Sequence, residues 1–184
     1  MKLRPAIFLD RDGTLNRCIV RDGKPYPPQQ IEEFELIKGV VEACDQLKQA
    51  GFLLVVITNQ PDVERGTQSQ AVVEEMHQQL KKLLPQLDHI EVCYSSGETP
   101  DRRRKPEPGM IEDAARILNI DLSTSWMIGD RWRDVECGKR AGVQTIFIDY
   151  AYEELLKSKP DFIVSSLSEA VEIILKNYES IKSS

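Results

Sequence analysis

Four short clusters hold the residue types that could do chemistry: Asp10-Arg11-Asp12-Gly13-Thr14, Thr58-Asn59, Arg104-Lys105-Pro106 and Gly129-Asp130. Their carboxylates suit a hard divalent cation, Lys and Thr can neutralise phosphoryl oxygens, and a carboxylate can act as a nucleophile. Together these groups predict phosphoryl transfer. Phosphate-monoester hydrolysis is among the slowest uncatalysed reactions, with enhancements approaching ~10²¹, so several charged groups must converge on one spot.

Taken singly, each cluster has a blander reading. An Asp-x-Asp-Gly string is often a turn, Thr58 an ordinary strand residue, and Arg102-Arg103-Arg104-Lys105 a solvated loop. What raises them above that is position, because each falls at the end of a short apolar run or beside a helix start. The runs are Pro5 to Leu9, Phe52 to Thr58, Ile90 to Tyr94, Ser125 to Ile128, Thr145 to Ile148 and Phe162 to Val164. Between them lie stretches of helical period, Val40 to Ala50, one opening at a Thr67-Gln68-Ser69-Gln70 capping box and reaching Leu84, Gly109 to Leu118, Arg133 to Ala141, and one capped by Ser166-Leu167-Ser168-Glu169. This alternation predicts an α/β fold, a doubly wound, Rossmann-like and mostly parallel sheet with helices on both faces and no separate cap domain. In such sheets ligands bind beyond the carboxyl ends of the strands, where the four clusters fall.

The whole chain agrees with a single domain over residues 1–184, since 184 residues can bury one core. A net charge of −6 repels polyanions, so a nucleic-acid partner is not expected. Neither an apolar leader nor a run of ~18 apolar residues is present, which predicts a cytoplasmic protein without a membrane partner. Cys18, Cys44, Cys93 and Cys137 form no C-x-x-C pair and read as free thiols. His77 and His89 lack partners at ligand spacing, and Trp126 and Trp132 read as packing residues. A monomer is expected.

The ordered set Asp10-Arg11-Asp12-Gly13-Thr14, Thr58-Asn59-Gln60, Lys105-Pro106 and Gly129-Asp130-Arg131-Trp132-Arg133-Asp134 resembles the haloacid dehalogenase-like (HAD) phosphatase superfamily over nearly the whole chain. The longer strings Phe8 to Asn16 and Arg104 to Met110 resemble its D-glycero-D-manno-heptose 1,7-bisphosphate and histidinol-phosphate phosphatases. The resemblance implies a phosphoric monoester hydrolase acting on a small phosphorylated metabolite, by way of a phospho-aspartate. It makes Asp10 the nucleophile, Asp12 the acid and base, and Thr58 and Lys105 the holders of the phosphoryl group. Mg²⁺ would be bound by the side chains of Asp10 and Asp130 and the backbone carbonyl of Asp12. For Asp12 to donate a proton, neighbouring carboxylates should raise its pKa. Asn59, Arg104 and Arg131 are implied to face the substrate, and Asp134 to orient Lys105 or act from behind.

The same branch usually carries a zinc loop before the lysine motif. Here Ser95, Asp101 and Arg103 replace three of its four ligands and only Cys93 remains, so no structural zinc is expected. That change weakens both substrate assignments. A polynucleotide 3′-phosphatase shares the motifs, but the acidic chain opposes it. A non-catalytic phospho-receiver module would order its acids, Thr and Lys differently.

Overall fold

The computed structural model describes residues 3–182. Its strands are short apolar runs, β1 (Ala6–Leu9), β4 (Leu53–Asn59), β5 (His89–Cys93), β6 (Trp126–Gly129), β7 (Gln144–Ile148) and β8 (Phe162–Val164). Each pairs in parallel with its neighbours, in the order β5-β4-β1-β6-β7-β8. Five helices, α1 (Val40–Gln49), α2 (Gln70–Leu83), α3 (Gly109–Leu118), α4 (Trp132–Ala141) and α5 (Leu167–Lys182), connect and cover the sheet. Strand alternation decides which helix covers which face. Ile7 and Leu9 of β1 pack in one buried cluster with Val40, Met76 and Val171, from α1, α2 and α5. Ala6 and Phe8, on the other face, pack with Met110, Ala114 and Cys137 from α3 and α4. Because both faces are covered, the central strands β1, β4 and β6 are apolar almost throughout.

The chain runs outward from β1 to β4 and β5, then returns to the opposite side of β1 to form β6. That reversal opens a crevice beyond the carboxyl ends of β1 and β6. The predicted doubly wound sheet is therefore present, with strand ends within one or two residues of those read from the sequence. Between β1 and α1 lies an unpredicted hairpin, β2 (Ile19–Arg21) and β3 (Lys24–Tyr26), a two-stranded antiparallel sheet of its own.

Two predicted capping boxes need correction. Helix α2 starts at Gln70 with Ser69 as its cap, because Thr67 is spent closing a turn, its N–H and Oγ1 both bonding the Asp62 carbonyl at 2.9 and 3.4 Å. At α5, Ser166 Oγ does accept from Glu169 N at 3.2 Å, but the Glu169 carboxylate turns to Ser165 N at 2.8 Å. Only half of that box forms. Among the described residues, no helix is long and apolar enough to cross a membrane.

Candidate active site

Strand β1 delivers Asp10 into the crevice, where its N–H continues the ladder onto Ile128 O at 3.0 Å. The following loop then winds around one carbonyl, Arg11 O, which accepts from Leu15 N at 2.9 Å and Asn16 N at 3.1 Å. Gly13 is required inside it for two reasons. Its φ is +86°, and a Cβ there would lie 2.1 Å from Asp130 Oδ2. Gly129, which ends β6, is equally confined, since a Cβ would meet Asp134 at 2.3 Å. Backbone without side chains thus lets the β1 loop, Asp130 and the first turn of α4 close on one another.

Lys105 is the cation at the centre. Its Nζ donates to Asp10 Oδ1 at 2.7 Å, Asp134 Oδ1 at 2.6 Å and the Ile57 carbonyl at 2.9 Å, using all three protons. Burial disfavours its charge, but Asp10 and Asp134 outweigh burial and hold its pKa above the usual lysine value. Asp10, Asp130 and Asp134 each place a carboxylate oxygen within 4.8 Å of the others. Burial pushes Asp10 up to about 7 despite Lys105, with Asp134 and Asp12 adding to the rise. Burial and then Asp10 and Asp134 raise Asp130 well above the carboxylate range. One ammonium therefore faces three buried carboxylates, and both oxygens of Asp130 are buried with no hydrogen-bond donor among the described residues. A hard cation with oxygen ligands fits that deficit. Asp134 is less available to it, because its Oδ2 also accepts from Arg131 N at 3.0 Å.

Asp12 departs from expectation. Burial alone would raise its pKa, but Arg11, Asn16 and Gln60 outweigh burial and hold it below the usual value. Asn16 Nδ2 donates to Oδ1 at 2.9 Å and Gln60 Nε2 to Oδ2 at 2.8 Å, while Arg11 grips both oxygens. The predicted repulsion from neighbouring acids is overcome by donors that come from beneath the site. Gln60 and Asn16 lie inside the quoted motifs, yet nothing in their spacing showed that they converge on Asp12. Thr58 also lies deeper than expected. It is held within β4 by pairing with Val92, its Oγ1 accepts from Gln60 Nε2 at 2.9 Å, and it is absent from the cavity lining.

Above these groups is a cavity of about 320 Å³, lined by Asp10, Asp12, Lys105 and Asp130 and rimmed by Tyr26 and Pro27 of the hairpin region. Asn59, Arg104 and Arg131 all border it. Their side chains are not equally free. The Asn59 amide is committed to the Lys105 backbone, accepting from its N–H at 3.1 Å and donating to its carbonyl at 3.0 Å, so Asn59 secures the lysine loop. Arg131 is paired with Glu154, with Nη2 2.9 Å from Oε1, which raises its pKa further. Arg104 donates to the Ser95 carbonyl, and burial followed by the charges of Arg133 and Arg65 lowers its pKa. Arg133, whose Cζ lies 4.7 Å from the Trp132 ring centroid, and Arg65 join it on the cavity wall. Neither Arg104 nor Arg133 forms an ion pair among the described residues. Sequence reasoning missed Arg65 and Arg133, although Arg133 lies within the Gly129 to Asp134 string.

The rest of the basic run is ion-paired while staying open to solvent, with exposed Arg102 placing Nη2 2.8 Å from Asp113 Oδ1 and half-buried Arg103 paired to Glu91. His89 opens β5 and lies 2.9 Å from Glu91, so it has a carboxylate partner after all. Trp126 packs in the core as expected, whereas Trp132 is flanked by Arg133 and by Lys157 Nζ at 3.7 Å.

A crevice at the reversal of a parallel sheet, with two acids after β1, a buried lysine and a third acid after β6, defines an α/β phosphoryl-transfer enzyme. The HAD-hydrolase-like family model matches residues 102–170. Over 94% of both chains, the sequence is 35% identical to the D-glycero-beta-D-manno-heptose-1,7-bisphosphate 7-phosphatase of Escherichia coli K12. It is 38% identical to the D-glycero-D-manno-heptose-1,7-bisphosphate 7-phosphatase of Chlorobaculum tepidum, across 93% of this chain and 94% of that one. The fold superposes with a TM-score of 0.80 on the D,D-heptose 1,7-bisphosphate phosphatase of B. bronchiseptica, solved with magnesium and phosphate, at 26% identity over 94% of this chain and 99% of that one. The chain belongs to the HAD-like hydrolase family, among its phosphatases.

Proposed function

We propose that this phosphatase is Mg²⁺-dependent and releases one phosphate from a small phosphorylated sugar through a phospho-aspartate on Asp10. The observation that carries this reading is the buried pair of undonated Asp130 oxygens beside Asp10 and Lys105. Asp10, Asp130 and the Asp12 carbonyl would hold Mg²⁺, which when bound screens the repulsion between the phosphate and the carboxylates. An Asp10 oxygen attacks phosphorus, the bond from phosphorus to the sugar oxygen breaks, and Asp12 supplies that oxygen's proton. Water then attacks the acyl phosphate while Asp12 takes its proton, releasing inorganic phosphate and restoring Asp10. As a carboxylate held by Arg11, Asn16 and Gln60, Asp12 is suited to the second half. For the first half it must be protonated against their pull. Lys105 neutralises charge at Asp10 throughout.

For the substrate, the relatives favour D-glycero-D-manno-heptose 1,7-bisphosphate, and Arg65, Arg104 and Arg133 on the cavity wall favour a second anionic group over the ammonium of histidinol phosphate. A biosynthetic role in the cytoplasm accords with that chemistry. The test is phosphate release from a panel of sugar mono- and bisphosphates with and without Mg²⁺, in wild type and Asp10→Asn. Mg²⁺-dependent release that is abolished by Asp10→Asn is expected. Equal turnover in the variant would refute the covalent route.

A further inference from the structure

Arg11 is fully buried, and its hold on Asp12 has so far been described only for its effect on charge. Placing a guanidinium in a protein interior is costly unless its charge and five donors are met, and an apolar side chain of similar volume would fill the same space at no such cost. Its partners show where the charge is directed. Nη2 lies 3.1 Å from Asp12 Oδ1 and 3.0 Å from Oδ2, and Nε lies 3.3 Å from Oδ1. Nη1 lies 3.1 Å from His77 Nε2, on α2. An arginine cannot accept, so His77 must, which fixes its proton on Nδ1. The guanidinium carbon stands 5.9 Å from the ring centroid of Phe34, in the segment between β3 and α1. Lys105, Arg104 and Arg131 line the cavity that Asp12 also borders. A carboxylate left free would turn toward them and toward the place of the phosphoryl group.

We infer that Arg11 is a positioning residue, which holds the Asp12 carboxylate from below so that it faces the leaving oxygen, and that His77 in turn fixes Arg11. This rests on the phosphatase reading above, and it adds that the acid and base of the reaction is aligned by a buried arginine relay reaching to α2. Loss of the relay should damage the step in which the leaving oxygen needs a proton, and spare binding.

The test compares kcat/KM for an alkyl sugar phosphate with kcat/KM for p-nitrophenyl phosphate, whose leaving group departs without protonation, in the full chain with Mg²⁺. Inhibition by inorganic phosphate reports binding. Arg11→Lys is expected to lower the alkyl value by roughly 30-fold or more and the aryl value by only about 3-fold, with phosphate inhibition unchanged. His77→Phe removes the acceptor while keeping bulk and should lower the alkyl-to-aryl ratio by about 5-fold, and His77→Gln, which restores an acceptor, should recover it. Equal losses on both substrates, or a His77→Gln variant no better than His77→Phe, would overturn the inference. Wild type releasing no phosphate from either substrate would instead overturn the phosphatase mechanism on which it rests.

Discussion

Asp134 grips Lys105 from the first turn of α4, with Oδ1 2.6 Å from Nζ, while its own Oδ2 is fixed by the Arg131 N–H at 3.0 Å. The acid is thus a bracket between a helix start and the lysine. Asp134→Leu leaves Lys105 buried with one carboxylate instead of two, which should cost about 3–5 kcal/mol in urea unfolding. Asp134→Asn keeps the shape and should lower kcat/KM by roughly 10- to 100-fold with a smaller loss of stability. An Asp134→Asn enzyme with full activity would show that the bracket does not matter to turnover.

Crowded carboxylates make a pH signature. The folded-state pKa values of Asp10 and Asp130 are raised, so the native protein binds protons more readily than the unfolded chain between the two pKa values. In chelator, unfolding free energy should therefore rise as pH falls from 8 to 6.5, by on the order of 1 kcal/mol per proton per pH unit. Saturating Mg²⁺ should raise the stability and flatten that slope, and Asp130→Asn should abolish the response to Mg²⁺. Urea titrations at four pH values, with and without metal, measure it.

His77 has the opposite sign. Burial, then Arg11, lowers its pKa to about 4, so the unfolded chain takes a proton near pH 6.5 that the native protein refuses. This contribution is intact above about pH 6.5 and is lost as pH falls toward 4, up to about 3 kcal/mol in all. His77→Gln should remove that part of acid destabilisation, visible as a shallower fall of the urea midpoint between pH 6.5 and 4.

Two neighbouring arginines should behave differently. Arg133→Ala should raise KM for a sugar bisphosphate by roughly 10-fold while changing KM for the matching monophosphate by less than about 2-fold, because Arg133 borders the cavity and forms no ion pair among the described residues. Arg131→Ala should leave both KM values nearly unchanged, since its charge is already spent on Glu154. Reversed effects in steady-state kinetics would place the second anion beside Arg131.

Zinc should be absent from protein prepared without chelator, and a zinc-selective chelator added with Mg²⁺ kept saturating should leave the unfolding transition where it is. Cys93 Sγ lies 3.5 Å from Asp101 Oδ2, and Asp101 Oδ1 accepts from Arg103 N at 2.8 Å, so hydrogen bonds link the one retained position to two of the three replaced ones. Elemental analysis giving one zinc per chain would contradict this.

Asp10 and Asp130 were legible as neighbours because strand ends could be read from buried apolar runs such as Ala6 to Leu9, whereas Lys105, which precedes α3, was placed with them by the family resemblance. The charge state of Asp12 was not, since it depends on Gln60, 48 residues away in sequence, and on the rotamer of Arg11. The pairing of Arg131 with Glu154 escaped notice for a similar reason, the partner coming from a loop 23 residues later with no periodic pattern. Strands β2 and β3 are three residues each and mostly exposed, so they show neither alternation nor an apolar run. Local signals located the acids and the lysine, while the donors that set their charges arrive through tertiary contacts.

The strand order has a consequence for synthesis. β1, at the middle of the finished sheet, is made first, yet its partner β6 begins at Trp126, well over half the chain later. Until then a nascent chain can pair β1 with β4 and β5 on one side only, leaving the other edge of Ala6 to Leu9 as an unpaired apolar template for any passing strand. Asp10 and Asp130 come together only when that edge is sealed. A ribosome-stalled chain ending before residue 126 should therefore be protease-sensitive and sticky, and one stalled far enough beyond α4 to free β6 from the exit tunnel should be neither.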